Sequence, residues 1–141
     1  MQSYAPPSGT PVDVYFNLHK RVFSVRARSG PLRGKVIAHT DRLTLHTASF
    51  HVSEAGHARV LATGHKNVHA VVRGTLTEHE ASPTSTWSSV RYDPFRYAHF
   101  YDTTSPDRAI TVADFVLLEL VGGHPRVSAN MTEPPVVQSS K

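Results

Sequence analysis

The stretch VDVYFNLHKRVFSVRAR, residues 12–28, decides the fold. Val12, Val14, Phe16 and Leu18 fall on one parity, and Asp13, Tyr15, Asn17 and His19 on the other. A period of two puts the apolar set on one face of an extended chain, so the run predicts a half-buried strand. Lys20 and Arg21 make a polar turn, and Val22 to Arg28 returns with Phe23, Val25 and Ala27 inward. The unit reads as a β-hairpin.

Outward from this hairpin the same grammar continues. Ser29-Gly30-Pro31 breaks the chain, Gly34 to His39 resumes as a strand, and Arg42 to Val52 follows. That last run changes phase: Leu43 and Leu45 share one parity, Ala48, Phe50 and Val52 the other, so a bulge or bend is expected near Thr47. Ser53 is a good N-cap with Glu54 behind it, Ala55, Ala58, Leu61 and Ala62 form an apolar stripe, and Gly64 is placed to close the helix. Asn67 to Leu76 reads as a valine-rich strand, and residues 78–86 have the composition of a mobile loop. Trp87 to Tyr92 and Arg96 to Tyr101 read as strands around an Asp93-Pro94 turn, with a second turn from Thr103 to Arg108. Ile110 to Val121 is read as a strand in preference to a short helix, and Arg126 to Met131 as an edge strand after Gly122-Gly123. The expectation is a mainly β, single-domain barrel or sandwich over residues 12–131, with about eight strands and one short helix. Residues 1–11 are expected to be a flexible N-terminus and 132–141 a polar tail.

The chain of 141 residues has no cysteine, which excludes disulfides and thiolate metal sites. No apolar run approaches the length of a membrane span, and Met1 to Thr10 lacks the features of a signal peptide, so a cytoplasmic location is expected. The net charge of +4 hides an asymmetry: residues 1–73 hold ten Lys/Arg against three acids, the remainder five against eight. Arg outnumbers Lys eleven to four, and a guanidinium fork bonds two oxygens of a phosphate or carboxylate at once. The basic half points to an anionic partner.

Catalytic signatures are missing. There is no GxSxG elbow, no HExxH, and no Gly-rich phosphate loop, Gly122-Gly123 being a lone turn pair. His51-Val52-Ser53 is one weak copy of the two-histidine phosphoesterase motif, followed by Glu54 where an apolar residue belongs, and no second copy exists. His65 and His69 flank a helix end and a strand start, too far apart to chelate one ion unaided. The reading is therefore a non-enzyme without cofactor or metal.

What remains is a binding surface. Asn17, His19, Lys20, Arg21 and Arg26 lie on or near the polar side of the first hairpin, and Lys66, Asn67, His69 and Arg73 have the same character. Together they supply donors suited to phosphate oxygens and base edges. Tyr92, Arg96 and Tyr97 add stacking and charge in the aromatic last third.

The runs VYFNLHKRVFSVR (14–26), GKVIAH (34–39), KNVHAVVRG (66–74) and RYDPFRYAHF (91–100), followed by ITVADFV (110–116), together resemble a family of small bacteriophage-encoded proteins without an assigned function. The resemblance spans Val14 to Met131 and implies expression inside a bacterial host; it carries over no catalytic residue. Small phage proteins of this size often counter host defences, some by sequestering nucleotide signals. The leading expectation is thus an anion-binding, anti-defence protein of the host cytoplasm, a homo-oligomer that closes on a nucleotide. Its rivals are a nucleic-acid-binding β-barrel, and a virion component or inhibitor docking on a host enzyme.

Overall fold

The computed structural model describes residues 6–65, 67–78 and 87–131. Alternation in the opening stretch becomes a hairpin of β1 (Pro11–Asn17) and β2 (Val22–Ala27), with Val14 opposite Val25 and Phe16 opposite Phe23. The chain continues through β3 (Val36–Thr40), β4 (Arg42–Val52), α1 (Glu54–Thr63), β5 (Ala70–Thr77) and β6 (Ser88–Arg91). Next come β7 (Tyr101–Asp102), β8 (Ser105–Ala109), β9 (Val112–Val121) and β10 (His124–Asn130). Backbone hydrogen bonds from Gly9 to Leu76 and from Leu76 to Thr10 tie the segment before β1 to β5.

All ten strands join one antiparallel sheet in the order β3-β2-β1-β5-β4-β9-β10-β6-β7-β8. This open order, with more strands than the sequence suggested, is neither a closed barrel nor a two-sheet sandwich. Closure fails at β8, where every residue is exposed and Pro106, Asp107 and Arg108 make a poor pairing edge. The sheet nevertheless coils until distant strands share one core: Val14 and Phe23 from β1 and β2 cluster with Leu118, Ala129 and Val90 from β9, β10 and β6. At the corner, Arg21 Nη2 donates to the Gly123 carbonyl at 3.1 Å, joining the β1–β2 turn to the β9–β10 turn.

The phase change in β4 is resolved as expected. Thr47 adopts a left-handed φ of 51°, and the β4–β5 register slips between His46 and Ser49. Leu45 before the slip and Ala48 and Phe50 after it all reach the core. The helix caps also form: Ser53 Oγ accepts from the Gly56 amide at 3.2 Å, and the Gly64 amide donates to the Val60 carbonyl at 2.8 Å.

Other expectations are corrected. Ala55, Ala58, Leu61 and Ala62 are exposed; α1 buries Gly56 and Val60, a pair one turn apart, because its close approach to the sheet is made at a glycine. Residues 96–100 are not a strand. The Asp93 carbonyl accepts from the Arg96 and Tyr97 amides, and its carboxylate from Phe95, which commits those donors to a turn. The segment around Pro106 is the β7–β8 hairpin rather than a turn throughout, and β10 is interior, paired with both β9 and β6. Lys66, residues 79–86 of the expected loop and the tail at 132–141 lie outside the described residues.

Candidate functional site

The open coil leaves a cleft of ≈ 430 Å³ where three segments meet. The C-terminal end of β1 and its turn contribute Tyr15 to His19, the approach to β5 contributes Asn67 to Ala70, and Tyr92 and Pro94 follow β6. A larger hollow of ≈ 720 Å³ continues from it into the concave side of the sheet, past Phe16, Phe23 and Phe100. The size suits a small-molecule pocket, and the mix of apolar walls with a few converging polar groups suits recognition.

The walls are held by specific contacts. Asn17 closes the hairpin turn: its Oδ1 accepts from the His19 and Lys20 amides, and its Nδ2 donates to Ser24 Oγ at 3.1 Å. Phe16 packs edge-on to Phe23 at 5.7 Å and lies under the Arg21 guanidinium at 5.4 Å. His69 is fixed at both ring nitrogens. Nδ1 lies 3.0 Å from the Asn67 carbonyl, which only accepts, so in the neutral ring Nδ1 carries the hydrogen. Nε2 then accepts from the Tyr92 hydroxyl at 2.6 Å. Burial, aided by the Asp93 charge, pushes that hydroxyl up to about 12, so it stays protonated at any physiological pH. Tyr92 also stacks on Phe100 at 5.1 Å. Behind His69, α1 presents Gly56, where a Cβ would fall on the His69 Cβ, and His57, whose Nε2 donates to the Pro94 carbonyl at 2.8 Å.

Of the residues singled out from the sequence, Asn17, His19, Asn67, His69 and Tyr92 therefore converge on one cleft. Lys20 stands exposed on the turn beside it, while Arg21 is committed to Phe16 and Gly123. Arg26 and Arg73 are not among the cleft walls: both reach Asp13, four residues before Asn17 on β1. Arg96 is exposed in the 93–96 turn, and Tyr97 packs on Tyr101 at 4.8 Å and His99 at 5.3 Å. Sequence reasoning missed Tyr15, Phe16 and Pro94 as cleft walls, Asp13 as a hub, and His57 as the prop behind His69. Asp13 carried a weak signal, an acid at a strand start amid basic residues, but its partner Arg73 is set by a pairing 60 residues distant.

The family model described as the Mycobacterium phage L5 gene 82 protein matches residues 5–122, which takes in the hairpin, the helix and every segment of the cleft. No curated protein matches the chain, and no solved structure does. With most of its length matched, the chain belongs to the bacteriophage family of the Mycobacterium phage L5 gene 82 protein.

Proposed function

We propose that this phage protein is a non-enzymatic binder that takes an anionic, nucleotide-sized ligand in the cleft between the β1–β2 turn, Asn67–Ala70 and Tyr92. The observation that carries the reading is the convergence of Asn17, His19, Asn67, His69 and Tyr92, from three separate segments, on a cleft of ≈ 430 Å³. A planar base sits against Phe16 and Tyr92, whose rings offer stacking area at little entropic cost. His19, Lys20 and Asn67, all exposed at the rim, donate to phosphate oxygens. Sequestration of a host nucleotide signal in the bacterial cytoplasm needs only these contacts, and a second copy closing over the mouth would slow release. The inward groups, His69 and Tyr92, satisfy each other, which favours a binding wall over a proton-transfer pair.

Native mass spectrometry of the protein purified from bacteria, followed by denaturation, tests this reading. The expected result is a nucleotide-sized adduct at fixed stoichiometry that His19→Ala and Asn67→Ala both reduce. An adduct retained in full by both variants would place the ligand elsewhere.

A further inference from the structure

Further along β1, on the face that carries Asp13, Tyr15 and Asn17, lies a group of charges that the cleft does not use. Register aligns Arg26 of β2, Asp13 of β1, Arg73 of β5 and Ser49 of β4 in one row across four strands. Cross-strand neighbours stand about 5 Å apart, so the row gathers its side chains into one patch. Arg28, two residues beyond Arg26 and on the same face, reaches the same carboxylate. Three guanidinium groups thus surround one carboxylate, leaving an excess of two positive charges.

The carboxylate does not satisfy them equally. Arg73 donates twice to Asp13, from Nε at 2.9 Å and Nη2 at 3.4 Å. Arg28 Nε stands 3.6 Å away and Arg26 Nη2 3.9 Å away, within ion-pair range but outside hydrogen-bond range. Each guanidinium has five donors, so Arg26 and Arg28 keep most of theirs free of Asp13. Asp13 is 10% exposed at its side chain against 33–36% for the three arginines, so the heads are held from beneath and reachable from above. Arg26 is further fixed over the Tyr15 ring at 5.7 Å. His51, hydrogen-bonded to Ser49 Oγ at 2.7 Å, flanks the row, and its pKa is lowered first by burial and then by the charge of Arg73, which Asp13 partly opposes.

We infer that this face carries a second site, formed by Arg26, Arg28 and Arg73 around Asp13, that binds a phosphate group. Asp13 holds the arginines in place and cancels one of their charges; a phosphate lying across Arg26 and Arg28 cancels the rest through bidentate contacts. The site does not depend on the cleft and persists if the cleft proves empty. The phosphate comes either from a small phosphate ester or from a nucleic-acid backbone tracking along the face.

Inorganic phosphate titrated into the full-length protein, read by the NMR signals of the arginine Nε–Hε groups, tests the site. The expected result is a saturable shift at Arg26 and Arg28 that exceeds the shift at exposed Arg33 and Arg59. Arg28→Gln lies beyond the end of β2 and leaves the sheet intact; it is expected to weaken binding about tenfold, the loss of one charge-assisted contact. Shifts that follow ionic strength equally at all arginines, and equally with chloride, would overturn the inference and leave a solvated ion-pair network. A single-stranded oligonucleotide of increasing length separates the sources. Affinity that grows with length and falls steeply with salt assigns the backbone, and constant affinity assigns the small ester. His19→Ala leaves the phosphate-induced shifts at Arg26 and Arg28 unchanged, which keeps a failure of the cleft distinct from a failure here.

Discussion

At the scale of single residues, two positions are testable, one for its backbone and one for its hydroxyl. Thr47 is β-branched yet left-handed, and its side chain makes an exposed contact with His46 Nδ1. Thr47→Gly removes the steric cost, with an expected gain of roughly 1 kcal/mol, or about 2–4 °C in thermal midpoint by calorimetry. A lower midpoint would mean that the side chain contributes more than its backbone costs. Tyr92 is held protonated. Because its folded pKa is raised, its contribution to stability is complete below the ordinary value of 10.0 and is lost as pH rises through about 12. A spectrophotometric titration of the native protein should show one late-ionising tyrosine that Tyr92→Phe abolishes. Ionisation of every tyrosine near the ordinary value would contradict the packing at His69. The bulge at Thr47 was legible because hydrophobic parity flips there. The His69–Tyr92 bond was not, since no local rule joins a strand entry to a turn 23 residues later.

At the scale of elements, strands were easier to read than their roles. The opening hairpin, β4 and β9 follow from alternation and apolar density, and both helix caps follow from Ser53 and Gly64. The packing side of α1 was misread because alanines and Leu61 look apolar, whereas contact is made where the backbone comes closest. Gly56 and Val60 form that line, and Val60 is wholly buried while Leu61 is 54% exposed. Val60→Ala should therefore cost about 2 kcal/mol in chemical denaturation and Leu61→Ala almost nothing. Equal effects would mean that the helix is turned from the orientation described. Asp93 shows the opposite lesson for residues 96–100. Aromatic, strand-favouring composition loses to one acid that captures three amides.

At the scale of the whole molecule, the order of strands decides where function can sit. Chain order places β1 beside β2, but only the non-local pairing of β1 with β5 and of β4 with β9 creates the coil, the cleft and the arginine row. Residue types on each face could be read from parity; their assembly could not. That division explains why the sequence grouped Arg26 and Arg73 with Asn17 and His69, although Asp13 gathers the two arginines four residues away from Asn17 along β1. The basic excess of the first 73 residues has a physical home in the row around Asp13, while the cleft offers mainly aromatic walls and rim donors. The most direct test of the central claim is a calorimetric titration of the full-length protein with a panel of mono-, di- and cyclic dinucleotides, repeated on Asn67→Ala. The account predicts saturable binding of at least one member, weakened about tenfold by Asn67→Ala while thermal stability is unchanged. No saturable heat with any nucleotide, or affinity indifferent to Asn67, would contradict it.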